Sequence, residues 1–147
     1  MASTANLDAA ERRARELLCA AVGEGEYRAY EELGYFSVAG GGDPGSGYAY
    51  LVYPQRPLVA YETATGALLS EYCVRFRDDG ERLPDADDVL AKWLALHGRE
   101  RELIAAANVG RPGCQVDPAH ARRDIARLGQ WLALHAPTVV PTHADCS

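Results

Sequence analysis

The middle third of the chain, residues 34–76, most constrains the fold, because there the sequence changes from helical periodicity to short tyrosine-rich runs. These runs, GYFSV, YAYLVYP, PLVAYE and LLSEYCVRF, are separated by turn-forming residues. In the second run Tyr48, Tyr50 and Val52 alternate with residues that are also apolar or aromatic, which is typical of a strand buried on both faces. The pattern predicts an antiparallel meander of four strands, at about 35–38, 48–53, 58–62 and 68–76.

The sequence on both sides of this stretch has helical periodicity. Gly34 is a typical helix stop, Gly98 predicts a pause, and Asp117-Pro118 is a typical helix start with an acidic cap. Helices are predicted at about 7–22, 26–33, 86–97, 99–108 and 118–135. The predicted fold class is α+β: a four-stranded antiparallel meander (about 35–76), flanked by an N-terminal helix pair and by three C-terminal helices packed mostly on one face.

The length of 147 residues predicts one domain, 1–147. Segment 39–47 is rich in glycine and is predicted to be a flexible connection that a partner could order. It is not a phosphate-binding loop, because a strand follows it and no Lys-Ser/Thr pair ends it. Segment 136–147 is predicted to be an irregular C-terminal tail.

Composition favours a soluble cytoplasmic protein. No apolar run approaches the ~20 residues of a membrane span, and the N-terminus lacks the features of a signal peptide. Lys92 is the only lysine, and this preference for arginine indicates a GC-rich bacterial genome. The net charge of −6 makes a nucleic-acid partner unlikely; Arg122, Arg123 and Arg127 remain a weaker candidate for such a contact.

Metal binding is an alternative rather than the expectation, and no cofactor is predicted. The four cysteines are widely spaced and are expected to be reduced thiols. Two of them could join two histidines around zinc, but the spacing matches no established zinc motif. The alternative metal set is Cys114, His120, His143 and Cys146.

The sequence does not show a catalytic constellation. A G-x-S-x-G motif is absent, and nothing local orients Cys73 toward His97 or His135. The acidic run at Asp85, Asp87 and Asp88 is expected to cap a helix, with Asp85 as the cap. An enzyme is therefore less expected than a binding protein.

Tyrosine is the best functional lead, because all eight tyrosines lie between Tyr27 and Tyr72. Aromatic residues with nearby arginines are enriched at binding surfaces. One sheet face, with Tyr50 and Tyr61 or with Tyr53 and Tyr72, is predicted to stay exposed. The predicted contact residues are Tyr48, Tyr50, Tyr53, Arg56, Tyr61, Tyr72 and Arg75.

Two functions from different classes follow from these residues. The first is a small non-catalytic binding or regulatory module whose Tyr/Arg-rich sheet face contacts a protein partner or a second copy. The alternative is a small enzyme or ligand-binding protein with a pocket between the sheet and the C-terminal helices. The polar groups expected in that pocket are Glu71, Cys73, Arg75 and His97.

Two eight-residue segments nearly repeat each other: LAKWLALH at 90–97 and LGQWLALH at 128–135 are identical at six positions. The flanking residues do not match, and no third copy exists. Chance or a shared local constraint is favoured over duplication.

Overall fold

An antiparallel sheet that packs against helices forms the centre of the structure. The computed structural model describes residues 4–74, 76–78 and 81–135. Its helices are α1 (Thr4–Val22), α2 (Glu24–Leu33), α3 (Asp85–Ala106) and α4 (Pro118–Leu134). Its strands are β1 (Phe36–Ala39), β2 (Tyr48–Val52), β3 (Leu58–Glu62), β4 (Leu68–Cys73), β5 (Arg77–Asp78), β6 (Glu81–Arg82) and β7 (Asn108–Gly110).

The α+β class, the helix pair and the meander are confirmed, but the sheet has one strand more than predicted. Its order is β1-β2-β3-β4-β7, and every neighbouring pair is antiparallel. The fifth strand, β7, pairs with the free edge of β4 and places Val109 opposite Tyr72. Three residues carry too little periodicity to predict a strand, and the pairing itself is distant in sequence. The two remaining short strands, β5 and β6, form a separate hairpin.

The C-terminal helices number two among the described residues, not three. The pause predicted at Gly98 is a kink inside α3, where Arg99 has φ −144° and ψ 43°. Glu100 of α3 accepts a hydrogen bond from the Tyr50 hydroxyl, and Asp124 of α4 accepts one from the Tyr53 hydroxyl. Tyr53 lies just beyond the end of β2, and Lys92 of α3 also contacts its carbonyl. The prediction that the C-terminal helices pack mostly on one face stays a prediction.

The glycine-rich segment forms two short 3-10 turns, Gly40–Gly42 and Pro44–Ser46. Glu100 of α3 anchors it by accepting hydrogen bonds from the Gly41 amide at 2.6 Å and from the Tyr48 hydroxyl at 2.7 Å. Gly40 lies against the Tyr48 ring so closely that a Cβ there would be 2.0 Å from a ring carbon. The shape of this segment thus depends on a helix that lies far away in sequence.

The two repeated segments make the same contact with α2. In each, the tryptophan indole N–H donates to a glutamate of α2: Trp93 to Glu26 at 3.1 Å, and Trp131 to Glu32. In each, the histidine four residues later stacks on the indole, with ring centroids 3.9 and 4.0 Å apart. The repeat therefore reflects a shared local constraint, because α3 and α4 each contact α2 through the same tryptophan–histidine pair.

Candidate ligand-binding cleft

Two adjoining hollows lie where the β2–β3 turn faces α4, and together we call them the cleft. Their volumes are about 340 Å³ and about 420 Å³, and they share Arg56 and His120 as lining residues. Both volumes lie within the ordinary range for small-molecule sites. The first hollow is also lined by Leu33, Gly34, Tyr35, Tyr53, Pro54, Asp124 and Arg127, and the second by Gln55, Pro57, Gln115, Val116 and Asp117.

A buried carboxylate forms the floor of the first hollow. Asp124 is 2% exposed, and its Oδ2 atom accepts a hydrogen bond from the Tyr53 hydroxyl at 2.7 Å. The same oxygen lies 3.2 Å from Nε2 of His120, which is four residues earlier on the same face of α4. The Tyr35 hydroxyl donates to the backbone carbonyl of Asp124 at 2.9 Å. Two tyrosines from distant parts of the chain and a histidine of the same helix therefore meet at Asp124.

The contacts of His120 define its tautomer. Its Nδ1 atom lies 2.8 Å from Nη2 of Arg123, and a guanidinium can only donate. Nδ1 is therefore the acceptor, and the ring proton is on Nε2, which donates to Asp124. The His120 side chain is 41% exposed. These two contacts hold the imidazole in one orientation at the border of the two hollows.

The two tyrosines of the first hollow stay protonated at neutral pH. Burial raises the pKa of Tyr53, and its hydrogen bond to Asp124 raises it further. Burial and the charge of Asp124 raise the pKa of Tyr35 to about 12, and the charge of Arg127 opposes this shift. Both hydroxyls therefore act as hydrogen-bond donors to α4.

A buried lysine fixes the turn that carries Arg56. Lys92 is 0% exposed, and its Nζ donates to the carbonyls of Tyr53 and Arg56 at 2.8 Å and to Oδ2 of Asp88 at 2.6 Å. The Gln55 amide also donates to that oxygen, at 2.8 Å, and Gln55 has a φ of +62°. This conformation is uncommon for a residue other than glycine, so the surrounding contacts must hold it. The Lys92–Asp88 pair therefore sets one wall of the cleft.

This pairing corrects the prediction for the acidic run. Pro84, not Asp85, precedes the first turn of α3, and no side chain caps it there. Asp85, Asp87 and Asp88 do lie in the first turn of α3, as predicted, and Asp88 is buried there. One amide of the first turn, that of Ala86, instead donates to Glu11 of α1 at 2.9 Å.

A second buried carboxylate fixes the loop before α4. Glu71 is 3% exposed, and its oxygens accept from the amides of Gly113, Gln115 and Val116 at 2.9, 2.8 and 3.2 Å. Glu71 was predicted as a polar group of a pocket. Its carboxylate is instead occupied by the backbone that shapes the second hollow.

Comparisons with protein-family models, curated proteins and solved structures found no match. Within the described part of the chain, no group of three or more His, Cys, Asp and Glu side chains is arranged to hold a metal ion. None of the described helices is both long and apolar enough to span a bilayer. The geometry of the cleft is therefore the basis for assigning a function.

Most of the tyrosines predicted to be exposed are buried. Tyr50, Tyr53 and Tyr61 are 4%, 4% and 6% exposed. Tyr48 and Tyr72 are half-buried. Both tyrosines of the first predicted pair, Tyr50 and Tyr61, are buried, and so is Tyr53 of the alternative pair, so neither pair forms an exposed sheet face.

Of the two arginines predicted as contact residues, only Arg56 can be placed. Arg56 is exposed and lines the cleft, whereas Arg75 lies outside the described residues. Of the other predicted pocket groups, His97 stacks on an indole beside α2, away from the cleft. Cys73 is half-buried at the end of β4.

The alternative metal set is only partly described. Cys114 is an exposed free thiol, and His120 contacts Asp124 and Arg123. His143 and Cys146 lie in segment 136–147, outside the described residues. Cys19 is disulfide-bonded, so the expectation of reduced thiols is wrong for that residue.

The sequence contained one usable signal for the cleft, the four-residue spacing of His120 and Asp124 on a helix. An aspartate on the buried side of an amphipathic helix requires a partner. The partners, Tyr35 and Tyr53, are 89 and 71 residues away. No local pattern connects them to α4.

Proposed function

We propose that this protein binds a small molecule in the cleft between the β2–β3 turn and α4. The observation that carries the proposal is the buried Asp124 carboxylate at the cleft floor, which accepts from Tyr53 and contacts the partly exposed His120. Taking a carboxylate out of water costs several kcal/mol, and apolar residues of similar size would stabilise a purely structural contact as well. Convergent polar groups at the floor of a cleft of this volume are characteristic of ligand sites.

This proposal favours the second function predicted from the sequence, a pocket between the sheet and the C-terminal helices, over the first. The burial of Tyr50, Tyr53 and Tyr61 removes most of the aromatic surface that a protein partner would contact. Contact with a protein partner or with a second copy stays a prediction, as does the cytoplasmic location. The groups differ from those expected: His120 and Asp124 replace Glu71 and His97.

A fragment screen by protein-observed NMR tests the proposal. We expect hits to shift the backbone amides of Arg56 and Gln115, on the two sides of the cleft, and to leave those of α1 unchanged. His120→Asn should weaken such hits by about tenfold, the effect of one lost hydrogen bond at an oriented group. His97→Asn is the matched control, because His97 also lies on a helix and stacks on a tryptophan but is outside the cleft. Hits confined to other surfaces, or equal binding by both variants, would contradict the proposal.

A further inference from the structure

We propose that the ligand of the cleft is a small anion whose phosphate or carboxylate group is bound between Arg56 and Arg127. This inference rests on the proposed function and specifies the class of ligand. It starts from the charges that line the first hollow. Arg56 approaches from the β2–β3 turn and Arg127 from α4, and both side chains belong to exposed residues.

The two arginines have no anionic partner of their own. Neither forms an ion pair within 4.0 Å of another residue in the described parts of the chain. A third guanidinium, that of Arg123, lies beside His120 at the border of the hollows. The lining of the two hollows carries two arginines and two aspartates, Asp117 and Asp124. The arginines are exposed whereas Asp124 is buried, so an anion entering from solvent can reach the guanidinium groups.

The two aspartates of the cleft already accept hydrogen bonds from other protein groups. Asp124 is buried, and its Oδ2 atom accepts from Tyr53 and His120. Asp117 accepts from the Ala119 amide at 3.0 Å, as the N-cap of α4. Neither carboxylate contacts Arg56 or Arg127 among the described ion pairs, so the arginines keep their hydrogen-bond donors available.

The geometry also orients Arg56 before a ligand arrives. The guanidinium of Arg56 lies 6.0 Å from the centre of the Tyr53 ring, within cation–π range. Lys92 holds the carbonyl of Arg56. The charge of Arg127 is close enough to oppose the rise in the pKa of Tyr35. Planar guanidinium groups bind carboxylate and phosphate oxygens in pairs, and an oriented guanidinium loses less entropy when it does so.

Titration of ¹⁵N-labelled protein with sodium phosphate and, separately, with sodium acetate tests the inference, with sodium chloride keeping the ionic strength constant. We expect at least one of the two anions to shift the Nε–Hε resonances of Arg56 and Arg127 saturably, with a dissociation constant in the millimolar range. Arg56→Gln and Arg127→Gln should each weaken that binding about fivefold, which corresponds to about 1 kcal/mol. Arg13→Gln, on the exposed side of α1, is the matched control and should bind as the wild type does.

Two results would overturn the inference: no saturable shift with either anion, or equal affinity in the two cleft variants and the control. Titrations with neutral and cationic fragments distinguish failure of the anion inference from failure of the proposed function. If they bind in the cleft and the anions do not, the cleft remains a ligand site but the inference is wrong. If nothing binds there, both are wrong.

Discussion

Replacing Lys92 by methionine tests whether the buried ion pair holds the cleft together. Methionine keeps most of the apolar volume of the lysine side chain but removes its ammonium group. Three acceptors then lose a donor: the carbonyls of Tyr53 and Arg56, and the Asp88 carboxylate. Only the Gln55 amide still donates to that carboxylate among the described contacts. The uncompensated charge is the largest part of the effect.

The magnitude follows from these lost contacts. Removing one partner of a buried ion pair costs about 3–5 kcal/mol. Each carbonyl left without a partner adds about 1–3 kcal/mol where water cannot reach it. Because the contributions overlap, we expect Lys92→Met to lower the free energy of unfolding by about 4–5 kcal/mol. A domain of this size has about 5–15 kcal/mol in total, so the expected loss is about a quarter or more of the stability of the protein.

Urea unfolding, followed by circular dichroism, measures the effect. Adding Asp88→Leu removes the orphaned charge, so the double variant should recover about 1–3 kcal/mol relative to Lys92→Met alone. The control is Arg15→Met, which breaks the exposed pair with Glu11 on α1 and should cost less than about 1 kcal/mol. A loss below about 1 kcal/mol for Lys92→Met, at an unchanged slope against urea, would refute the reasoning. So would a double variant no more stable than the single one.

Three further predictions concern the sheet and the cleft floor. Gly40→Ala should lower the thermal midpoint and cost about 1–3 kcal/mol of stability, because the new methyl group overlaps the Tyr48 ring. Gly129→Ala, at an open helical position, should instead raise the stability by up to about 1 kcal/mol. Equal midpoints for the two variants would contradict this contact. Tyr53→Phe should cost about 1.5–3 kcal/mol in urea unfolding, because the Asp124 carboxylate loses a donor; an unchanged midpoint would show that this bond is absent in solution. In the folded protein the pKa of Tyr35 is raised to about 12, whereas an unfolded tyrosine has a pKa of about 10. The protonated hydroxyl therefore stabilises the fold fully below about pH 10, and this contribution is lost as the pH rises through 12. Ultraviolet titration should therefore show tyrosine ionisation together with unfolding, and complete ionisation near pH 10 in a folded protein would contradict it.

The strands and helices could be predicted because their signals are local. Alternation around Tyr50 indicated β2, and the stop at Gly34 and the start at Asp117-Pro118 indicated ends of α2 and α4. Strand β7 could not be predicted, because it depends on pairing with β4 rather than on its own three residues. The sides taken by α3 and α4 are also set by tertiary contacts, which the periodicity of each helix does not contain.

The cleft was less predictable than the fold. Lys92 and Asp88 are four residues apart on α3, and this spacing is typical of a solvated surface pair. Both are buried here, because the β2–β3 turn supplies carbonyl and amide partners from elsewhere in the chain. The clustering of tyrosines was a real signal, but it marked a mostly buried part of the sheet rather than an exposed surface.

A crystal structure of the protein with whichever anion binds more tightly in the NMR titration is the most direct test of the cleft as a binding site. We expect the anion in the first hollow, within hydrogen-bond distance of both Arg56 and Arg127 and beside His120. An anion bound on another surface, with the cleft left empty at a saturating concentration, would contradict the anion site between Arg56 and Arg127.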